Sequence, residues 1–119
     1  MLTLTSKKKA SDMTREIDRI IYHAEQSEKM IERYLVSRVE ALGGFCLKYS
    51  NSNMIGFPDR LAILPHGKTV WFELKSKGCQ PSKAQVIRFL RMGQLGHPVF
   101  VCDSKQDVDD SLKNLGYAI

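Results

Sequence analysis

The run Thr69-Val70-Trp71-Phe72-Glu73-Leu74-Lys75-Ser76-Lys77 decides the fold. Val70, Phe72 and Leu74 alternate with Trp71, Glu73 and Lys75, and a β-strand turns successive side chains to opposite faces. One face of this strand is therefore committed to a core, while the other carries an acid and a base two positions apart. Charge placed in that way sits on a rigid frame.

Upstream, residues 59 to 64 read as a second strand, separated from the first by Pro65-His66-Gly67-Lys68, so the pair is predicted to form a β-hairpin. Its register decides whether Asp59 joins Glu73 and Lys75. Pairing Asp59 with Glu73 or with Lys75 aligns all three, whereas pairing with Leu74 turns Asp59 to the opposite face. An odd-length loop with Gly67 at positive φ gives an aligning register, and that register is the expected one.

Ser11 or Asp12 is placed to cap a short helix carrying Ile17, Ile20, Ile21 and Ala24. A second helix is expected from near Ser27, with Met30 or Ile31, Tyr34, Leu35, Val39 and Leu42 at helical spacing, and Gly43 and Gly44 end it. Phe45, Leu47 and Tyr49 alternate with Cys46 and Lys48 as a strand does, and residues 50 to 56 form a polar loop. Ser82 begins a helix containing Val86, Phe89 and Leu90. Pro98 to Cys102 is a further strand, and Asp103 or Ser104 caps a last helix with Val108, Leu112 and Leu115 on one side.

The expected fold is thus α/β, a single domain with a mixed central β-sheet flanked by helices, in the order α-β-β-β-α-β-α after an N-terminal helix. Short turns make the middle strands antiparallel, and a crossover helix returns the last strand beside an earlier one. Residues 1–26 are assigned to a basic arm, residues 1 to 10, and the short accessory helix, and residues 27–119 to the domain proper. The arm and helix are compatible with binding substrate, stabilising a dimer or trailing in solvent.

A chain of 119 residues, 43% hydrophobic, is long enough for one core and too short for two ordinary domains. The net charge of +5 suits a polyanionic partner, and a Lys/Arg excess also serves solubility. Cys46 and Cys102 lie in apolar runs and Cys79 in a polar turn. That spacing supports neither a zinc site nor a disulfide framework and points to reduced thiols in a cytoplasmic protein. Lys7, Lys8 and Lys9 are followed by charged residues rather than an apolar run, so neither a signal peptide nor a membrane span is supported.

Asp59 and Glu73 side by side repel, and a hard divalent cation relieves that repulsion, with the Leu74 backbone carbonyl available as a further oxygen ligand. Lys75 then has a task as a compact point charge, holding attacking water or offsetting charge on phosphorus. The plainer reading is a solvated Glu/Lys strand face joined by ion pairs. Gln85 also has two readings, since Ser82 and Gln85 match the S-x-x-Q capping box. The same helix start, with Lys77, Lys83 and Arg88 nearby, is suited to form a phosphate-binding, DNA-contacting rim. Trp71 shares the parity of Glu73, so it either walls the cleft or packs beneath a helix. His23, His66 and His97 are too dispersed to nominate a metal cluster.

The set GFPD at 56 to 59, ELK at 73 to 75 and Gln85 resembles the PD-(D/E)XK nuclease superfamily. More narrowly, it resembles the virus-type replication-repair nuclease domain, VRR-NUC. The resemblance runs from about Glu28 to Leu115 and includes the helix before Gly43-Gly44 and the KYSNS stretch at 48 to 52. It implies a restriction-endonuclease-like fold and a Mg²⁺- or Mn²⁺-dependent endodeoxyribonuclease. Asp59 and Glu73 are the implied metal ligands, Lys75 supports the attacking water and Gln85 assists. A glutamate from the first helix is also implied, Glu28 in preference to Glu32.

Small phage members of the family resemble Holliday-junction resolvases. The implied activity is therefore structure-selective cutting of four-way DNA by a homodimer, in the host cytoplasm if phage-encoded. General DNA cleavage without junction selectivity and a noncatalytic nucleic-acid-binding or assembly module are the alternatives.

Overall fold

The computed structural model describes residues 10–119, so the basic arm, but for Ala10, lies outside the described residues. The elements are α1 (Ala10–Ala41), β1 (Phe45–Lys48), β2 (Arg60–Leu64), β3 (Lys68–Leu74), α2 (Lys83–Gln94), β4 (Val99–Cys102) and α3 (Lys105–Asn114). The four strands form one mixed sheet in the order β1-β2-β3-β4. The first two junctions are antiparallel and β3 runs parallel to β4. This is the expected α/β architecture, a restriction-endonuclease-like sheet flanked by helices.

The N-terminal region departs from expectation. The two helices expected on either side of residue 26 are one continuous helix of 32 residues. Residues 24 to 29, Ala-Glu-Gln-Ser-Glu-Lys, contain neither glycine nor proline, and Ser27 costs little inside a helix, so nothing in this stretch breaks the hydrogen-bond ladder. The buried Ser76, just past the end of β3, donates from its hydroxyl to the Ala24 carbonyl at 2.7 Å and ties the middle of α1 to the sheet.

The core lies on one face of the sheet. Ile31, Leu35 and Val39 of α1 pack with Val108 and Leu112 of α3 against Ala62, Leu64, Val70, Phe72, Leu74 and Cys102. Tyr34 donates to the Asp109 carboxylate at 2.8–2.9 Å and Arg38 pairs with it at 3.2 Å, which fixes α1 against α3. Ser104 caps α3 by accepting from the Asp107 amide. In β1, the alternation places Cys46 toward the core layer, while Phe45 and Leu47 are exposed. Burial pushes the thiols of Cys46 and Cys102 up to about 11, so both stay protonated and inert, and Cys79 is exposed.

Candidate active site

The β2–β3 hairpin takes the aligning register. Pro65–Gly67 forms a three-residue turn in which His66 and Gly67 both have positive φ, 68° and 75°, and Leu64 pairs with Lys68. Arg60 pairs with Phe72, so Asp59, one residue earlier, lies opposite Glu73. The Asp59 amide donates to Glu73 Oε1 at 3.2 Å.

Glu73 is the centre of the site. It is only 1% exposed, yet it lies on the face of β3 opposite the core. Its second oxygen, Oε2, receives Lys75 Nζ at 3.0 Å and Gln85 Nε2 at 3.0 Å. Burial raises the pKa of the Glu73 carboxyl and the neighbouring Asp59 raises it further, while the Lys75 ammonium and the Gln85 amide pull it back. One Gln85 side chain makes both a cap contact and a contact to Glu73. Its oxygen accepts from the Ser82 amide at 3.0 Å, completing the capping box, and its nitrogen reaches Glu73.

The first helix brings Glu28 to the same place. A cleft of about 220 Å³ is lined by Glu25, Glu28, Lys29, Glu32, Lys48 and Asp59. Partial burial raises the pKa of Glu28, with the Asp59 charge the next cause and Lys75 opposing. Glu32 has a separate partner: it pairs with Arg60 at 3.0 Å, and Arg60 also donates to the Cys46 carbonyl at 3.2 Å. Glu28 feels the charges of both Asp59 and Lys75.

The residues expected at a DNA rim are less uniform. Lys77 and Lys83 are exposed. Arg88 instead engages the loop before Asp59, with Nε donating to the Ile55 carbonyl at 3.3 Å and the guanidinium 5.2 Å from the Phe57 ring centroid. Trp71 joins Tyr49 and Phe57 in an aromatic group under that loop, with centroids 5.1–6.1 Å apart, so its role is to support rather than to stand free. Lys48, given no role by its sequence, belongs to the cleft. The signal was its position opposite Arg60 in the β1–β2 register, which turns it toward α1.

Among the described residues no group of three or more His, Cys, Asp or Glu side chains closes into a metal-binding cluster. The cleft is lined by four acids and two lysines, and one of those acids, Asp59, contacts Glu73 through its backbone amide.

This geometry agrees with what the chain is similar to. It is 41% identical over 85 residues to a protein named "Putative nuclease p44" from Acyrthosiphon pisum secondary endosymbiont phage 1, a match covering 71% of this chain and 90% of the relative. The chain belongs to the VRR-NUC family. A solved structure described as "VRR_NUC domain" superimposes with a TM-score of 0.69 at 35% identity, covering 76% of this chain and 98% of that one. No family model matches. As a VRR-NUC domain the chain has a PD-(D/E)XK-type nuclease fold. Among the described residues, no helix is long and apolar enough to cross a membrane.

Proposed function

We propose that this VRR-NUC chain is a metal-dependent, structure-selective DNA endonuclease that resolves four-way junctions as a homodimer in the cytoplasm of the host cell. The observation that carries the reading is the state of Glu73. A carboxylate 1% exposed is costly to bury, and this one is kept by three donors that also fix its orientation beside Asp59. A solvated surface ion pair requires none of that burial, which disfavours the plainer reading of the Glu/Lys face.

The donor set fits a hard cation. Glu28, Asp59 and Glu73 offer oxygen atoms rather than thiolate or imidazole, and burial and then the Asp59 charge raise the pKa of both Glu28 and Glu73, a repulsion that a divalent ion relieves. Asp59, Glu73 and the Leu74 carbonyl would hold Mg²⁺ or Mn²⁺. When bound, such an ion supplies Lewis acidity at a phosphate and acidifies water. The chain's own residues do the remaining work. Lys75 places a compact positive charge next to Glu73, where it can orient attacking water and offset charge developing on phosphorus. Gln85 holds the Glu73 carboxylate in one rotamer, and Glu28 offers a further acidic group at the mouth of the cleft.

Cleavage of labelled duplex, splayed, flap and four-way DNA, with each metal and near physiological salt, tests the proposal. The four-way substrate should be cut first, on opposing strands, and Glu73→Gln should abolish cutting while retaining fold and DNA affinity. Binding without cleavage under every metal would establish the noncatalytic alternative. Equal cutting of all forms would remove the junction claim and leave a general nuclease.

A further inference from the structure

Ile55 is 73% exposed, more than any other large apolar side chain among the described residues, and Met54 beside it is exposed as well. A slack backbone is not the cause. The Asn51 carboxamide oxygen accepts from the Asn53 and Met54 amides at 2.9 and 3.1 Å, and its nitrogen donates to the Tyr49 hydroxyl at 3.0 Å. Arg88 donates to the Ile55 carbonyl at 3.3 Å, and Gly56 sits so close to α2 that a Cβ there would stand 3.0 Å from the Ala84 carbonyl oxygen. Pro58, next to Asp59, is fully buried. The loop is therefore held on both sides of Ile55 while the side chain itself is left in water.

Nothing in the local structure calls for an isoleucine at this point. The turn is made by the Asn51 side chain and the grip by a backbone carbonyl, so a polar residue at position 55 would serve both. One exposed isoleucine on a surface is ordinary, but this one has company. The loop rests on the side of α2 that carries Ala84 and Arg88, and Ile87, 61% exposed, shares that side at the spacing of helical neighbours. Lys83 and Arg91 lie one turn to either side of Ile87 and are exposed. The sequence of α2, KAQVIRFLRMGQ, has basic residues and no acidic one. Ile55 also lies close to the candidate active site, since four residues of chain keep its Cα within about 14 Å of that of Asp59. That is roughly four base steps along a DNA strand.

We infer that Ile55, flanked by Met54 and Ile87, is an apolar wedge that packs against base faces uncovered at a DNA branch point, beside the strand presented to Asp59 and Glu73. The chemistry of the surface selects that occupant. Nucleic acid joins apolar base faces to a line of negative charge, which matches an apolar tip bordered by Lys83 and Arg91. Isoleucine has a stiff χ1, so on a fixed backbone it loses little freedom when it is covered. Within a continuous duplex a base step must be unstacked before such a side chain can enter. At a branch the stack is already interrupted, so the same contact costs less. The wedge thus converts DNA shape into affinity without reading sequence, and Arg88 acts by holding the backbone beneath it. The inference rests on the structure-selective reading of the proposed function and deepens it, naming the side chain that supplies the selectivity.

The test is competition binding of the full chain to a four-way junction and a matched duplex, near physiological salt and without added metal, so that no strand is cut. Ile55→Ser should lower the junction-to-duplex affinity ratio by about 10-fold, the scale of one apolar side chain left in water, and Ile55→Leu should keep most of the ratio. Because Ile55 is exposed, both variants should melt with the unaltered chain. A fluorescent adenine analogue at the branch point reports the contact directly. Its emission should change when the unaltered chain binds, and at saturating Ile55→Ser that change should be lost. Lys83→Ala and Arg91→Ala should weaken both DNA forms together, each lowering the slope of log affinity against log salt by about one unit, whereas Ile55→Ser should leave the slope alone. A junction preference that survives Ile55→Ser overturns the wedge and leaves the selectivity of the proposed function standing. If that variant instead releases the chain from anionic phospholipid vesicles, the tip belongs to a lipid surface. An unaltered chain with no preference for the junction overturns the selectivity itself, and the wedge with it. Whether the chain cuts DNA is decided separately by the cleavage assay.

Discussion

Gln85 Nε2 donates to Glu73 Oε2 at 3.0 Å while the oxygen of the same amide accepts from the Ser82 backbone. One side chain thus spans a helix cap and a buried carboxylate. The two duties are separable by mutation. Ser82→Ala removes half the capping box and should cost about 1 kcal/mol of stability with cleavage nearly intact. Gln85→Leu should cost a similar amount and also reduce cleavage at saturating DNA, because Glu73 loses a donor. Thermal melts and single-turnover rates on both variants check this. Equal rates for the two variants would reduce Gln85 to a cap.

Lys75 lies 3.0 Å from Glu73 and is partly exposed, so it is available both to the carboxylate and to a substrate phosphate. Lys75→Ala should lower the single-turnover rate by at least about 100-fold at saturating DNA, the scale of removing one electrostatic stabiliser of developing charge. Affinity should change much less. Should the loss vanish at saturation, Lys75 is a phosphate contact and the catalytic assignment is wrong.

The parts of this fold that were legible in the sequence are those set by neighbouring residues. The alternation in TVWFELK reports its own faces, the turn at Pro65–Gly67 sets the hairpin register, and Ser82 and Ser104 announce their helices. What escaped depends on distant groups. Whether Ser27 starts a helix or lies within one is decided by the absence of a breaker and by the Ser76 contact to Ala24. The pairing of Glu32 with Arg60, which distinguishes it from Glu28 within the same cleft, joins residues 28 positions apart. Arg88 looked like a rim residue by its charge, whereas its guanidinium is engaged by a loop more than 30 residues upstream.

Asp103, at the end of β4, accepts from the Gly78 amide at 3.0 Å and so holds the turn that follows Lys75. That hydrogen bond, aided by Asp107, lowers the Asp103 pKa below the ordinary aspartate range. A depressed pKa means that the stabilisation is present above the unfolded value and is lost as pH falls through the folded one. Asp103→Asn should therefore melt at a lower temperature than the unaltered chain at neutral pH. The gap should close as pH falls through and below the ordinary aspartate range, since the protonated acid then resembles the amide. A gap that persists in acid would mean that shape rather than charge matters at this position.

Arg88 and Gly56 together set the loop that delivers Asp59. Gly56 has φ of +88°, and a Cβ there would stand 3.0 Å from the Ala84 carbonyl oxygen and 3.3 Å from Arg88 Cβ, so the loop lies directly on the first turns of α2. Arg88 grips it at the Ile55 carbonyl and the Phe57 ring, three residues along the helix from Gln85, which in turn contacts Glu73. Loop and helix therefore meet around the same carboxylate, and displacing one displaces the other. Gly56→Ala should cost about 1–3 kcal/mol through its positive φ and the close approach, read as a lower melting temperature. Arg88→Lys keeps the charge but loses the planar stacking and the directed Nε bond, so it should slow cleavage at saturating DNA. The salt dependence of DNA binding separates this role from a phosphate contact. A phosphate-binding arginine contributes about one unit to the slope of log affinity against log salt, and its replacement by alanine removes that unit. Arg88→Ala should leave the slope unchanged while the single-turnover rate falls. A slope reduced by about one, with the rate at saturation preserved, would return Arg88 to the DNA rim.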